Sequence, residues 1–293
     1  MTPPPRRGLL VRNGSKPDDW VEGVIARLAE ADVQLVDTPT ASCDAACDAI
    51  RRGASDTDLI VVAGGDGTLN GVAPALLEAG RPVGVLPLGT ANDLARTLAL
   101  PLDVDAAAEV IAAGATRRID LGIANGKPFF NVASLGLSAQ LAANLGEGAK
   151  HRFGRFSYAL AALKVLFGAK PFRAAIAAQG QAVRARTYQI AIGNGRYYGG
   201  GAAVREDAQI DDGRLVLYSL EPGSLWKVVL LAPLFRRGRH AHWREVRTAE
   251  GRQIEIRTPA PMPVNLDGEL ATETPLVLTV RHAAVEVFAP AAP

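Results

Sequence analysis

Residues 59–68 read Leu59-Ile60-Val61-Val62-Ala63-Gly64-Gly65-Asp66-Gly67-Thr68, the most informative stretch of the chain. The continuous apolar run before the glycines is typical of a β-strand that is buried on both faces. From Leu69 to Leu77, apolar side chains recur at the i, i+3, i+4, i+7, i+8 spacing of a helix that packs on a core. The pattern predicts a strand, a glycine-rich loop and a helix, in that order.

The glycine-rich loop has the composition of an anion-binding site. Three glycines in four residues allow positive φ angles and a close approach of the backbone to a ligand. The exposed N–H groups and the N-terminus of the following helix would bind anionic oxygens. Asp66 would repel phosphate, so we expect it to act through Mg²⁺, while Thr68 is an N-cap or a phosphate donor. The alternative is a tight turn whose glycines serve only close packing.

A second loop follows the same plan. Gly89-Thr90 comes after the predicted strand Val83–Leu86, and Ala91-Asn92-Asp93 opens a helix that runs to Leu98. The carboxyl ends of successive parallel strands lie at one edge of a sheet, where ligands bind. The sequence therefore predicts that the threonines and aspartates of the two loops converge. The alternative makes both threonines ordinary helix caps.

The chain changes its pattern near Arg117. Before it, strands and helices alternate, which predicts a parallel sheet with helices on its faces. After it, Asn125-Gly126 is a strong hairpin signal, and short alternating strands follow. We expect an α/β nucleotide-binding domain over 1–118 and an antiparallel β-sandwich over 119–293, whose last strand can pack back on the first domain. Helices are expected to interrupt the sandwich at about 156–167 and 224–235.

Composition excludes several classes of protein. The 293 residues carry 32 basic and 30 acidic side chains, a formal net charge of +2, which argues against a nucleic-acid-binding arm or tail. No apolar run is long enough to span a bilayer, and no signal-peptide core is present, so we expect a cytoplasmic protein. Cys43 and Cys47 lack a zinc spacing, and with only four histidines a transition-metal site is not expected.

The two loops and several later motifs together resemble the diacylglycerol kinase catalytic family, in its branch of soluble bacterial lipid kinases, which are similar to sphingosine and ceramide kinases. The motifs run in order along nearly the whole chain. They are Gly64-Gly65-Asp66-Gly67-Thr68-Leu69-Asn70, Gly89-Thr90-Ala91-Asn92-Asp93-Leu94-Ala95-Arg96, Arg118-Ile119-Asp120-Leu121-Gly122, Phe130-Asn131-Val132-Ala133-Ser134-Leu135-Gly136, Gly193-Asn194, Gly199-Gly200-Gly201, Asp211-Asp212-Gly213 and Asp267-Gly268-Glu269. The resemblance implies a nucleotide domain and a β-sandwich domain, with ATP and lipid meeting in the cleft between them.

The resemblance also implies the residues that hold ATP. The glycine loop, the second loop and one upstream threonine, Thr38 or Thr40, would contact the nucleotide. The implied ATP-binding set is Thr38, Gly64, Gly65, Asp66, Gly67, Thr68, Leu69, Asn70, Gly71, Thr90 and Asn92. Two positions depart from the family, which often has Asn-Pro-x-Ser-Gly after its first strand, here Asn13-Gly14-Ser15-Lys16, and commonly has Glu at position 71.

Carboxylates complete the implied site. Asp66, Asp93 and Asp120 would form an acidic and water-mediated network around a catalytic Mg²⁺. Glu269 would be the general base, with Asp267 as its supporting carboxylate. A second, structural Mg²⁺ would be held by Asp212 and by the main-chain carbonyls of Gln209 and Arg214. Without the resemblance, Asp267-Gly268-Glu269 and Asp211-Asp212-Gly213 are ordinary turns.

The expected function is an ATP- and Mg²⁺-dependent lipid kinase. Basic, aromatic-flanked segments at 151–173 and 225–243 suit the headgroup region of an anionic membrane, or else are core helices with a charged face. Peripheral contact with the inner face of the membrane follows from the first interpretation. A homodimer is one option for assembly. The alternatives are an NAD kinase, which shares the glycine motif, and a catalytically silent lipid-binding regulatory protein.

Overall fold

The structure is a computed structural model that describes residues 5–137, 139–140, 169–223, 238 and 243–290. It divides into two units, Met1–Leu121 with His282–Pro293, and Gly122–Arg281. The chain passes from one unit to the other twice, once within the strand that spans residues 116–124 and once within the strand that spans residues 276–288. The helices expected at about 156–167 and 224–235 lie outside the described residues, as do most residues of the basic segments at 151–173 and 225–243.

The first unit is built on parallel strands. The strands are β1 (Arg6–Asn13), β2 (Val33–Thr40), β3 (Leu59–Gly64) and β4 (Val83–Pro87), in the order β2-β1-β3-β4. The end of the last strand of the chain joins them, since Val287 pairs in parallel with Val83. Every residue of β3 is buried, as its continuous apolar run predicts.

Helices connect these strands. They are α1 (Val21–Glu30), α2 (Cys43–Gly53), α3 (Asp66–Ala79), α4 (Asp93–Thr97) and α5 (Val104–Ala113), with a 3₁₀ turn at Ala54–Asp56. Side chains from the strands and from α1 and α5 share one apolar core, which includes Leu10, Val24, Leu28, Leu59, Val61, Leu86, Ile111 and Phe288. Ser42 caps α2 by accepting a hydrogen bond from the Ala45 N–H.

Two features of these helices differ from the sequence expectation. Helix α3 begins at Asp66 rather than Leu69, so Gly67 and Thr68 lie in its first turn instead of in a loop. Helix α5 was not expected, because its run of small alanines gives little contrast between a buried and an exposed face. Asp103 caps α5 through a hydrogen bond from the Ala106 N–H, and Gly114 ends it in the left-handed conformation.

The second unit is a β-sandwich, as the sequence predicts. The strands from residue 116 onward are β5 (Thr116–Ala124), β6 (Lys127–Phe129), β7 (Val132–Gly136), β8 (Phe172–Ala178), β9 (Gln181–Thr187), β10 (Gln189–Gly193), β11 (Tyr197–Tyr198), β12 (Ala202–Ala203), β13 (Leu215–Leu220), β14 (Val246–Gly251), β15 (Gln253–Arg257), β16 (Pro263–Leu266), β17 (Glu269–Glu273) and β18 (Leu276–Phe288). One sheet of the sandwich has the order β14-β13-β10-β7-β16-β17, and the other contains β15, β8 and β9 next to the first half of β18.

Apolar side chains from both sheets form the core of the sandwich. The pairings within the two sheets of the second unit are antiparallel, which matches the alternating pattern of its strands. The core includes Leu135, Ile176, Ile190, Ile192, Leu217, Ile254, Ile256, Val264, Leu276 and Leu278. The fold class expected from the sequence, α/β followed by all-β, is confirmed.

Some strands differ from their predicted extents. The segments expected as two strands at 276–280 and 285–288 form the single strand β18, in which the exposed pair Arg281-His282 interrupts the apolar alternation. The returning strand expected at 129–133 is instead split between β6 and β7. Asn125 and Gly126 both have positive φ, as the predicted hairpin requires. None of the described helices is both long and apolar enough to cross a bilayer.

Candidate active site

The loops that follow β3 and β4 pack directly against each other through their backbone atoms. The Leu88 N–H donates a hydrogen bond to the Gly64 carbonyl at 3.1 Å. A Cβ on Gly65 would lie 2.9 Å from the Cα of Gly89, and a Cβ on Gly89 would lie 2.5 Å from the Cα of Gly65. Only glycine at both positions lets the two loops approach this closely.

Close packing, rather than positive φ, explains Gly64 and Gly65. Gly65 has a φ of −93°, so the positive φ expected from the sequence is wrong there. A Cβ on Gly64 would lie 2.5 Å from the side chain of Thr68. Gly71 faces α2, where a Cβ would lie 2.6 Å from the Sγ of Cys43. A larger side chain at position 71 would require the Cys43 side chain to move aside.

Asp66 connects the two loops. Its Oδ1 accepts a hydrogen bond from the Leu94 N–H at 3.0 Å, in the first turn of α4, which suits a carboxylate beside a helix N-terminus. Asn92 adopts the left-handed conformation, and its side chain both accepts from the Gly89 N–H and donates to the Gly89 carbonyl, each at 2.9 Å. Asn92 therefore shapes the loop, whereas Thr90 is exposed and forms no hydrogen bond with a described residue.

The two other aspartates of the expected magnesium network are buried. Asp93 is 6% exposed and begins α4, next to the residue that Asp66 binds. Asp120 is 1% exposed, and its Oδ1 accepts from the Ala283 N–H at 2.8 Å and lies 2.7 Å from His282 Nδ1. His282, on β18, was not identified from the sequence, since nothing in its neighbourhood marks it as a partner of Asp120.

The three aspartates could hold Mg²⁺ only together with waters and substrate phosphates. Within the part of the chain that the structure describes, no group of three or more His, Cys, Asp or Glu side chains is placed to hold a metal by itself. Asp66 keeps Oδ2 without a hydrogen bond to any described residue, so an oxygen remains for a hard cation. Mg²⁺ usually binds through one or two carboxylates, waters and substrate phosphates. A single carboxylate oxygen of Asp66 is compatible with this mode of binding.

A pocket opens beside the glycine loop at the carboxyl ends of β1, β3 and β4. Its cavity volume is about 50 Å³, and it is lined by Arg12, Asn13, Lys16, Pro17, Trp20, Ala63, Gly64, Gly65, Thr68 and Leu88. Arg12 forms a two-bond ion pair with Asp37, both contacts at 2.9 Å, and that hydrogen bonding raises the pKa of Arg12. Sequence reasoning missed Lys16 and Trp20 as site residues, although the Asn13–Lys16 turn follows β1 at the same sheet edge.

The two candidate threonines lie at the end of β2. Thr40 Oγ1 donates to the Arg12 carbonyl at 3.1 Å, and Thr38 Oγ1 donates to the Val36 carbonyl at 3.4 Å. Both are half-buried, and both lie beside β1, Thr38 opposite Val11 and Thr40 opposite Asn13. The choice between them as a nucleotide contact stays a prediction.

Asp267, in the second unit, anchors a turn. Its carboxylate accepts three backbone hydrogen bonds, from Phe130 N–H at 2.7 Å, Asn131 N–H at 3.0 Å and Val132 N–H at 2.8 Å. Asp267 and Gly268 have positive φ and form the two-residue turn between β16 and β17. Because the carboxylate is occupied in this way, Asp267 acts as a positioning residue for the turn that carries Glu269.

Asn194 holds the same segment from its other side. Its Nδ2 donates to the Phe130 carbonyl at 2.7 Å, and its N–H donates to the Asn131 carbonyl at 2.8 Å. Three sequence motifs that are far apart in the chain therefore meet around residues 130–132. Glu269, the first residue of β17, is exposed and forms no ion pair with a described residue. Its carboxylate is accessible to a substrate.

Changing Asp267 to asparagine should destabilise the protein. Asparagine keeps the shape and tolerates positive φ, but it loses the negative charge and presents an N–H₂ group to one of the three donors. We expect Asp267→Asn to lower the free energy of unfolding by about 2–4 kcal/mol, measured by urea denaturation. Asp103→Asn is the control, since asparagine caps a helix as well as aspartate does. A loss below about 0.5 kcal/mol in Asp267→Asn, no more than surface substitutions cost, would contradict the anchoring role.

The expected structural magnesium site does not fit the ion. Both carboxylate oxygens of Asp212 accept hydrogen bonds from Arg214, Oδ1 from the backbone N–H at 3.2 Å and Oδ2 from Nε at 2.9 Å. A cation of the chain itself therefore already occupies the carboxylate that would bind the metal. Gln209, which would supply a main-chain carbonyl, lies in an exposed position of the same loop.

Comparison with known proteins shows which family these features belong to. Residues 11–124 match the family model of the diacylglycerol kinase catalytic domain, and residues 131–289 match that of the YegS C-terminal NAD kinase beta sandwich-like domain. A diacylglycerol kinase of Staphylococcus epidermidis is 31% identical over 249 residues, which cover 84% of this chain and 79% of that protein. A diacylglycerol kinase of Staphylococcus aureus is 30% identical over 249 residues, with the same coverage of 84% and 79%.

A solved structure agrees with these matches. The crystal structure of a "putative diacylglycerol kinase" from Bacillus anthracis superposes with a TM-score of 0.81 at 25% identity, covering 99% of this chain and 97% of that one. The likeness therefore includes both units. The resemblance read from the sequence motifs is confirmed.

Proposed function

The chain belongs to the diacylglycerol kinase catalytic family and is a lipid kinase, and from this we propose that it transfers the γ-phosphate of ATP to a hydroxyl group of a lipid such as diacylglycerol. The observation that carries the nucleotide part of this proposal is the pocket beside the Gly64–Thr68 segment, where glycine backbone and the cation Lys16 line a cavity that Arg12, paired with Asp37, also borders. Cations and free N–H groups at a helix N-terminus are what a triphosphate requires.

We assign the phosphates to the N-terminus of α3. Gly65 precedes the helix, and the N–H groups of its first turn have no partner within the helix. The exposed hydroxyl of Thr90 and the side chain of Thr68 are additional donors next to it. Trp20 and Leu88, which line the same pocket, offer apolar surface for the less polar part of the nucleotide. Both interlocked loops would then hold ATP through backbone and hydroxyl groups.

Mg²⁺ is the proposed cofactor of the transfer. Asp66 would hold it with its unoccupied oxygen, and Asp93 and Asp120 would contribute through waters. When bound, the ion supplies neutralisation of the phosphate charge. His282 keeps the orientation of Asp120 through its hydrogen bond to Oδ1.

Glu269 is the proposed general base. The lipid oxygen forms a bond to the γ-phosphorus while the bond from that phosphorus to the β–γ bridging oxygen breaks, so that ADP leaves. The proton of the lipid hydroxyl passes to the carboxylate of Glu269. The exposure of Glu269 and the fixed turn set by Asp267 support this role. We further propose that the enzyme works in the cytoplasm, at the membrane surface where its substrate lies.

A labelling assay tests the function. The protein would be incubated with γ-labelled ATP, Mg²⁺ and mixed micelles that contain diacylglycerol, monoacylglycerol, phosphatidylglycerol, ceramide or sphingosine, with NAD in a parallel reaction. We expect label in one lipid, in an amount that depends on Mg²⁺, and none in NAD. Label only in NAD would contradict the proposal and favour the NAD kinase alternative. Label in none of them would favour a lipid-binding protein without activity.

A further inference from the structure

Arg214 neutralises Asp212 from within the same loop. Residues 205–214 lead into β13, and the Asp212 side chain there is 14% exposed. A carboxylate that is buried to this degree needs a cation or several hydrogen bonds to offset its lost hydration. The Arg214 guanidinium provides both, through Nε at 2.9 Å from Oδ2, and the Arg214 N–H adds a bond of 3.2 Å to Oδ1.

Glu250 on β14 holds the guanidinium from the other side. Arg214 Nη1 lies 3.3 Å and 3.4 Å from its two carboxylate oxygens, and the hydrogen bond with Asp212 raises the pKa of Arg214. Arg205 Nη1 also donates to Glu250, at 3.0 Å. Both ends of the loop are therefore tied to the same strand, and Arg214 is the link between that strand and Asp212.

We propose that the guanidinium of Arg214 takes the place of the structural Mg²⁺ that the family resemblance implies at Asp212, so that this chain holds the 205–214 loop without a metal ion. Mg²⁺ requires near-octahedral oxygen ligands and gives up its waters reluctantly. With the guanidinium 2.9 Å from Oδ2, an ion on the same carboxylate would stand beside a like charge. A fixed cation of the chain makes the metal unnecessary.

Thermal unfolding of the full chain without nucleotide tests this inference. Between EDTA and saturating MgCl₂, the melting temperature of the wild type should change by no more than about 1 °C beyond the change seen in the Asp212→Asn variant. A change that both proteins share does not arise at Asp212. Arg214→Leu removes the cation and keeps the carboxylate and both carbonyls. It should melt at least about 3 °C lower in EDTA and recover most of that loss in Mg²⁺. The double variant with Asp212→Asn should not recover.

Arg247→Leu is the matched control. Arg247 forms a comparable pair with Glu221, Nε to Oε1 at 2.9 Å, on the same sheet. The Arg247→Leu protein should have the same melting temperature in EDTA and in Mg²⁺. If Arg214→Leu does not fold, the wild type and Asp212→Asn still decide the question through the Mg²⁺ content of dialysed protein. We expect no Asp212-dependent magnesium.

Three results would overturn the inference. The first is a wild type that Mg²⁺ stabilises by several degrees and that loses this response in Asp212→Asn. The second is one Mg²⁺ per chain that survives dialysis and is lost in the same variant. The third is an Arg214→Leu protein that melts in EDTA at the wild-type temperature, because the guanidinium would then not be the cation that Asp212 needs.

Discussion

Replacing Glu269 by glutamine is expected to lower kcat for lipid phosphorylation by about 100- to 10,000-fold, the range found when a general base is removed. Glutamine has the same size but cannot accept the proton of the lipid hydroxyl. KM for ATP should stay within about threefold, because Glu269 belongs to the second unit and the proposed ATP contacts all lie in the first. The measurement is steady-state kinetics with the lipid that takes label in the panel assay.

The control for this substitution lies on the same strand. Glu273 is exposed, ends β17 and forms no ion pair with a described residue. Glu273→Gln makes the identical chemical change on the same strand, beyond its β-bulge, and should keep wild-type activity. Both variants should unfold at the wild-type urea concentration, since neither carboxylate supports the fold. A Glu269→Gln enzyme with a third or more of the wild-type kcat would place the base elsewhere.

Alanine at Gly65 should weaken ATP binding by at least about tenfold and destabilise the protein by about 1–3 kcal/mol, the usual cost of overpacking. Its Cβ would stand 2.9 Å from the Cα of Gly89 and 3.5 Å from the Gly89 nitrogen. These are backbone atoms, so no side-chain rotation relieves the clash, and the two loops must separate. The φ of −93° suits alanine, and the effect is therefore steric. Isothermal titration with ATP and urea unfolding measure the two losses.

Gly23→Ala is the matched control for Gly65→Ala. Gly23 lies within α1, and a Cβ there would have nothing within 4 Å. The change should stabilise the protein by about 0.5–1 kcal/mol, because alanine is the better helix former, and should leave ATP binding unchanged. Wild-type ATP affinity in Gly65→Ala would show that the contact between the two loops does not shape the nucleotide site.

The strand–glycine–helix unit was predictable because its signals are local. A six-residue buried strand, the glycines and the apolar helix face all lie within residues 59–77. The predicted start of the helix was wrong by three residues, since Asp66, Gly67 and Thr68 resemble a loop in composition. Helix α5 was missed because its alanines carry no periodic contrast. A helix or strand is predicted from the contrast between apolar and polar residues along it. A segment of uniform, small residues lacks that contrast, so the element is not predicted.

The partners of the site residues were not predictable in the same way. Asp267 binds the N–H groups of residues 130–132, which lie 135 to 137 positions away in the chain. His282 contacts Asp120 across 162 positions. The family resemblance implies only a carbonyl ligand at Arg214, although its side chain lies two residues from Asp212 and could reach it. A turn motif shows that a carboxylate is present but not which donor it will meet.

The amino-acid sequence by itself determined the types of the elements, the two-part architecture and the family, because hydrophobic periodicity, turn residues and contiguous motifs are properties of neighbouring residues. The tertiary structure alone decided that Asp66 caps α4, that Gly65 packs on Gly89 and that Asp267 is occupied by backbone donors. The physical reason is that a buried polar or close-packed group is satisfied by whatever the fold brings within about 3 Å, and most of those partners are distant in sequence.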